Sequence, residues 1–319
     1  MIIYRARAMI NDKRVEISIV IPACNEEGNL EKIYSEILKA MDKEQSFEIV
    51  FVDDGSSDKS WKTIKALSRK DNKVRGIRFS RNFGHQYALY AGLMNSRGDV
   101  MITMDADLQH PPSLIPQLLD EWHKGSKIVN TLRIDHKNIS AVKKVTSWLF
   151  YKIFSFLSGV EMGPGTSEFR LLDRQVVNEL LKFNESGIFL RGLVHWIGFD
   201  NVRIPYQCQD RYSGQTKYSF FKMCKFAWRG ITSFSIVPLR VGIFIGILTS
   251  LLSFYQLLDV LYTKLFTERA VPGWATTVGL ISLLFGVLFI LLGILGEYIG
   301  RILLEVRGRP RYVVSETSE

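Results

Sequence analysis

The chain has 319 residues, 47% of them hydrophobic, and a formal net charge of +9, which gives room for one large catalytic domain with an appendage or for two ordinary domains. A basic excess of this size suits nucleic acid, anionic lipid or an anionic substrate. No basic stripe on a nucleic-acid-binding module is present, and the cations cluster instead around two apolar runs: Lys217, Lys222, Lys225, Arg229 and Arg240 before the first, Arg301, Arg307, Arg309 and Arg311 after the second, as headgroups and topology selection favour.

The segment Met1 to Val15 has no apolar core long enough for a signal peptide, so the domain that follows is expected to stay on the side of the membrane where it is made. Ile17 to Pro22 is a short β-branched run closed by proline and predicts a buried strand. Helical spacing over Asn25 to Met41 follows, then a strand at Phe47 to Val52, a helix through Leu67, a strand at Val74 to Phe79, a helix at Gln86 to Asn95 and a strand at Val100 to Met104. Strands alternating with helices predict a doubly wound, mostly parallel sheet with ligands at the carboxyl ends of its strands. Cys24, Cys208 and Cys224 have no metal-like spacing and are expected as free thiols of a reducing compartment.

Two aromatic and lysine-rich stretches, near 143–157 and 218–234, fit helices lying along a membrane interface, with ordinary core helices as the bland alternative. Residues 236–300 hold nearly all the long apolar runs, with spans expected at about 239–260 and 274–298, each near the roughly 20 residues that cross a bilayer. The short connection makes them a hairpin. The expected organisation is a catalytic domain over 1–235, a transmembrane hairpin over 236–300 and a basic tail over 301–319. Positive charge outside the hairpin puts both termini and the catalytic domain in the cytoplasm, at the inner or plasma membrane.

The polar motifs sit at predicted strand ends. Asp105-Ala106-Asp107 places two carboxylates on one short turn, which suits a divalent cation that neutralises a diphosphate; an Asx-rich turn capping a helix is the plainer reading. Asp53-Asp54-Gly55-Ser56-Ser57-Asp58 offers an acidic edge to a ribose and base, while Ser57 or Asp58 can equally cap the next helix.

Together, Ile21-Pro22-Ala-Cys-Asn25-Glu26-Glu27, Val52 to Asp58, Ser80-Arg-Asn-Phe-Gly-His85 and Met104 to Pro112 resemble family 2 glycosyltransferases of the GT-A fold. More narrowly, Phe169 to Arg174, Arg211 to Ser219, Gly296 to Arg301 and Arg307 to Pro310 resemble the polyprenyl-phosphate glycosyltransferases. Those include dolichol-phosphate mannose synthases, bactoprenol glucosyltransferases and the enzyme that charges undecaprenyl phosphate with aminoarabinose. The resemblance runs from about Ile17 to Val313.

It implies Pro22, Glu26, Asp53 and Asp54 around the nucleotide, Asp105 and Asp107 on a divalent cation (Mg2+ or Mn2+) and the diphosphate, and Ala106 and Gln109 near the donor. Arg133 and Arg170 fall on the donor side, and Arg211 and Lys217 on phosphates, a task suited to guanidinium forks and ammonium charges. Two departures stand out: Cys24 replaces the family's usual aromatic, and Glu168 stands where an aspartate is frequent. Because an alkyl phosphate is mostly dianionic near neutral pH, its second pKa being about 6, Glu168 is expected to position the acceptor more than to remove a proton. The implied reaction moves a sugar from a nucleotide-sugar to a polyprenyl phosphate with inversion. UDP-glucose and undecaprenyl phosphate are the first choice, and mannose, galactose, N-acetylhexosamine and aminoarabinose stay open. A polysaccharide synthase of the same fold or an inactive membrane anchor are the competing classes; homo-oligomerisation is left open.

Overall fold

The computed structural model describes residues 15–42, 45–134, 152, 166–183, 185, 187–207, 237–266 and 273–318. It divides into two units, one of residues 1–151, 161–218 and 310–319 and one of residues 152–160 and 219–309.

In the first unit, β1 (Ile17–Ala23), α1 (Leu30–Ala40), β2 (Phe47–Asp53), α2 (Ser60–Lys70), β3 (Val74–Phe79), α3 (His85–Asn95) and β4 (Val100–Thr103) alternate as their sequence patterns predict. Next come a 3-10 turn at Pro112–Leu114, α4 (Ile115–His123), β5 (Ile128–Ile134), β6 (Thr166–Asp173), α5 (Arg174–Leu180), α6 (Leu190–Trp196), β7 (Asn201–Gln207) and, from the far end of the chain, β8 (Val314–Ser318). The strands form one sheet in the order β7-β5-β6-β4-β1-β2-β3-β8.

Every residue of β1 and β2 is buried, as happens when helices cover both faces of a parallel sheet. Ile19, Ile21, Ile49 and Phe51 pack with Ile33, Ile37, Trp61 and Ile64 on one face, while Val50, Val52, Ile77 and Phe79 meet Ala88 and Ala91 of α3 on the other. Helix α3 comes so close to β1 that a Cβ on Gly92 would lie 2.2 Å from Val20 Cγ1.

The chain winds from β1 outward through β2 and β3, then crosses back to place β4 against the other side of β1. The carboxyl ends of β1 and β4 therefore flank a topological switch point, where open α/β sheets bind ligands. Beyond β4 the sheet is mixed: β6 runs antiparallel to both β4 and β5, and β8 is antiparallel to β3.

At Gly55, φ is +66° and an added Cβ would sit 2.3 Å from the carbonyl carbon of Arg81. Gly55→Ala therefore combines a left-handed backbone penalty with a backbone clash that no rotamer relieves. It is expected to destabilise the first unit by at least about 2 kcal/mol, read as a drop in the thermal unfolding midpoint.

The second unit contains α7 (Val237–Phe266) and α8 (Trp274–Arg307). Within them Leu239–Gln256 and Gly279–Arg307 are long and apolar enough to cross a membrane. Their large apolar side chains, among them Phe244, Leu251, Phe254, Phe289 and Ile290, are exposed rather than buried, the reverse of a core helix in a water-soluble domain. Both helices run past the spans expected from the sequence. The stretches 143–157 and 218–234, expected along a membrane interface, lie outside the described residues apart from Lys152.

The basic tail expected over 301–319 is structured differently. Arg301 to Arg307 continue α8, and Val314 to Ser318 become the strand that covers the edge of β3. Three donors fix that strand through one carboxylate: Trp61 Nε1, Lys65 Nζ and Arg78 Nη1 lie 2.9, 3.2 and 3.2 Å from Glu316.

Candidate active site

The loops after β1 and β2 are interlocked. Asn25, at φ +57°, donates its N–H to Ser56 Oγ and accepts from the Ser57 N–H on Oδ1, both at 2.9 Å. Glu27 Oε2 accepts from the Lys59 N–H at 2.8 Å, and Glu26 accepts from Asn29 Nδ2 at 2.6 Å. Neither Ser57 nor Asp58 is the N-cap of α2, which is Lys59; Asp58 accepts from the Ser60 N–H and the Ser57 hydroxyl turns to Asn25. Cys24, where an aromatic is usual, accepts from Asn82 Nδ2 at 3.2 Å.

Asp53 and Asp54, expected around a nucleotide, spend their carboxylates on the protein's own backbone. Asp53 is fully buried, accepts from the Ser56 N–H and lies 3.2 Å from Arg78 Nε. Asp54 accepts from the N–H groups of Phe83 and Gly84 at 2.7 and 3.0 Å. Burial pushes the Asp54 pKa up against the opposing pull of those two donors. Its carboxylate thereby folds the Ser80–Gly84 loop back toward the switch point, and α3 starts with His85 at its tip.

His85 Nε2 meets Asp105 Oδ1 at 2.7 Å. Asp105, Ala106 and Asp107 form the turn that leaves β4. Asp107 Oδ1 accepts from the Gln109 N–H at 3.1 Å, and between them Leu108 holds φ +62°, a strained value for a branched residue. Burial works against the charge on Asp105, yet His110, His85 and Arg191 hold its carboxyl well below the usual range. The turn carries an anionic Asp105 at every physiological pH.

His110 braces the turn from behind. Its Nδ1 accepts from the Asp105 N–H at 2.9 Å, so when the ring is neutral its proton is on Nε2, 2.8 Å from Ser167 Oγ. Burial lowers the His110 pKa and favours that neutral form. The run Asp105–His110–Ser167 thus has the connectivity of a nucleophilic triad with the wrong tautomer: nothing on His110 is free to take a proton from Ser167. Tyr206 on β7 comes within 3.3 Å of the same serine.

Glu168 on β6 is buried beneath the turn. Oε2 lies 3.0 Å from Arg170 Nη2, and Oε1 lies 3.0 Å from Arg191 Nη2 and 3.2 Å from Gln86 Nε2. Burial raises its pKa, but Arg191 and Arg170 overcome that effect and bring it down to about 2. A carboxylate held there is a feeble base and a firm anchor.

Arg170, expected on the donor side, lies on β6. Its side chain is 2% exposed and points beneath Glu168, bonded also to the Ser167 carbonyl, because alternation along β6 sends it into the sheet's packed layer with Glu168. Arg133 is exposed near the end of β5, opposite Tyr206. Pro22 is the next-to-last residue of β1 and is buried in the sheet. Arg211 and Lys217 lie outside the described residues. The sequence reading did not single out His85, His110, Gln86 or Arg191. The first two stand within or beside quoted motifs, one ending Ser80–His85 and one three residues past Asp107; nothing local marks Gln86.

An acidic turn at the switch point of such a sheet is a ligand-binding arrangement, and residues 18–181 match the Glycosyl transferase family 2 profile. The chain belongs to that family and is a glycosyltransferase with a GT-A-like mixed sheet. It is 38% identical over 306 residues to an uncharacterised glycosyltransferase of Bacillus subtilis, covering 96% of this chain and 95% of the other. It is 35% identical over 304 residues to the SfII prophage-derived bactoprenol glucosyl transferase of Shigella flexneri, covering 95% and 98%. It is also 35% identical over 307 residues to a prophage bactoprenol glucosyl transferase homolog of Escherichia coli, covering 96% and 100%. A solved glucosyl-3-phosphoglycerate synthase from Mycobacterium tuberculosis aligns at TM-score 0.47 and 17% identity, over 68% of this chain and 77% of that one, too distant to carry a site or substrate across.

Proposed function

We propose that the protein transfers glucose from UDP-glucose to undecaprenyl phosphate, with inversion, at the cytoplasmic face of a membrane that α7 and α8 cross. The observation that carries this reading is the extent of the kinship. The relatives named bactoprenol glucosyl transferase match along nearly the whole chain, the apolar helices included. Pairing of β8 in the catalytic sheet adds support for the hairpin: a chain that returns to the sheet it left crosses a membrane an even number of times.

The acceptor is a lipid phosphate already ionised near neutral pH, so the reaction needs charge compensation more than a base. That agrees with a Glu168 locked between two arginines. Asp105 and Asp107 fit a divalent cation: both are on one turn, both are partly exposed, and Asp105 is ionised. Among the described residues no group of three or more metal-ligating side chains exists, which suits Mg2+ or Mn2+ drawing its remaining ligands from diphosphate oxygens. Such an ion supplies neutralisation of the departing diphosphate. Arg211 and Lys217 are assigned to the acceptor phosphate.

The purified full-length protein, given undecaprenyl phosphate and a panel of nucleotide-sugars, is expected to make glycolipid fastest from UDP-glucose. Faster transfer of mannose, galactose, N-acetylhexosamine or aminoarabinose would replace the sugar, and no glycolipid from any donor would overturn the acceptor. Arg211→Ala and Lys217→Ala are each expected to lower turnover by about tenfold or more, about 1.4 kcal/mol, with membrane association unchanged. Normal turnover at saturating lipid would reduce both cations to headgroup contacts.

A further inference from the structure

The C-terminal strand touches the donor side of the site through a single guanidinium. Arg78, on β3, reaches three groups at once: Asp53 Oδ2 from Nε at 3.2 Å, the Ser56 carbonyl from Nη2 at 3.4 Å, and Glu316 Oε1 from Nη1 at 3.2 Å. Asp53 and Ser56 belong to the acidic loop after β2. Glu316 comes from the last residues of the chain, opposite Arg78 in register.

The same segment then runs beside the loop that delivers His85. Ser80 donates its N–H to the Val313 carbonyl at 2.9 Å, Ser315 Oγ reaches the Arg78 carbonyl, and the Tyr312 ring stacks on Phe79 at 4.7 Å. Phe79 in turn meets Phe83 edge-on at 5.7 Å, and the Phe83 N–H is the one Asp54 holds. The pairing shifts register between Arg78 and Phe79, so the strap bends where the sheet gives way to that loop.

We infer that Glu316, with the β8 strap that carries it, is a positioning element for the nucleotide-sugar. It holds Arg78 so that Asp53 and the Ser56 carbonyl keep the acidic loop in its binding shape, and it touches no substrate itself. This rests on the reading of the protein as a nucleotide-sugar transferase. Without the strap, Arg78 loses one of its two carboxylate partners and β3 becomes a bare edge. An Arg78 pulled only by Asp53 leaves both the loop and the guanidinium more places to go. Lys65 is the internal control, since it bonds the same carboxylate and takes no part in the Arg78–Asp53 ion pair or the Arg78–Ser56 hydrogen bond.

The test uses the full-length protein in detergent, with UDP as the binding probe and UDP-glucose as the varied substrate. Glu316→Gln keeps the size, removes the charge and leaves one of the two acceptor oxygens. It is expected to raise the donor KM by about fivefold or more while leaving kcat and the acceptor KM within about twofold, and to weaken UDP binding in proportion. Amide exchange at Phe83 and Gly84 is expected to speed up. Lys65→Ala is expected to change neither. A purely structural strap would instead lower the unfolding midpoint and move donor and acceptor parameters together, and that result overturns the inference. So does an unchanged donor KM with unchanged exchange in Glu316→Gln. If the wild-type protein binds no UDP, both this inference and the transferase substrate assignment fall; if it binds UDP as tightly as the variant does, only the inference falls.

Discussion

Asp107→Ala is expected to cut sugar transfer by about a thousandfold or more, in the range seen when a transition-state charge stabiliser is lost, while leaving the fold intact. The side chain is partly exposed and accepts from the Gln109 N–H two residues away. On the proposed reading its carboxylate would help hold a divalent cation that neutralises the diphosphate. The contrast with Asp105 is instructive: Asp105→Ala also releases His85, so its loss mixes chemistry with structure. Single-turnover transfer measured with and without EDTA checks the claim. Full activity in EDTA, or in Asp107→Ala, would exclude a metal-supported diphosphate.

Glu168→Ala should produce the other large effect, on stability as much as on rate. Removing the carboxylate leaves the Arg170 and Arg191 guanidiniums facing each other with no anion between them, and Arg170 has no access to water. Breaking a buried pair from one side costs about 3–5 kcal/mol. The pH dependence has a definite sign. The folded pKa of Glu168 is lowered from the model-compound value of 4.5 to about 2, so its stabilisation is fully present above about pH 4.5 and is lost as pH falls toward 2. The depression corresponds to about 3 kcal/mol. The wild-type protein should therefore lose stability over that acid window, and Glu168→Ala, already lacking the contribution, should lose less. Chemical denaturation between pH 2 and pH 7 reads both. In the neutral range Glu168 should add no limb to the pH–rate profile, and a limb near pH 6 that vanishes in Glu168→Gln would make it a base after all.

How far these features can be read from the residues alone depends on whether the physics is local. The strands β1, β2 and β4 announce themselves as short, largely apolar runs because a sheet covered on both faces demands little else of them. The Asp105–Asp107 turn is legible for the same reason: its chemistry lies within three residues at a strand end. Strand β6 is harder, since it buries Glu168 and Arg170, and its direction is set by pairing with β4 and β5 far away in the chain. Strand β8 reads Val-Ser-Glu-Thr-Ser, which has no strand pattern of its own and exists through Trp61, Lys65 and Arg78. The partners of Asp105 escape for a related reason. His85 reaches it because Asp54, on a different loop, gathers the Phe83 and Gly84 amides, and no spacing rule encodes that. The surroundings of Arg170 are hidden in the same way, since a motif shows that an arginine stands there and not which side of the strand it faces.

The late arrival of β8 has a consequence for how the protein is made. At the usual 5–20 residues per second, the ribosome finishes β3 on the order of ten seconds before it releases Val314, with both apolar helices synthesised in between. Throughout that interval the outer edge of the nascent sheet offers Ile77 and Phe79 as an unpaired template. A newborn chain stalled or truncated after α8 would carry the acidic turn and the hairpin yet present a sticky border to its neighbours. Quality control has a natural checkpoint there, because only a completed chain can seal its own margin.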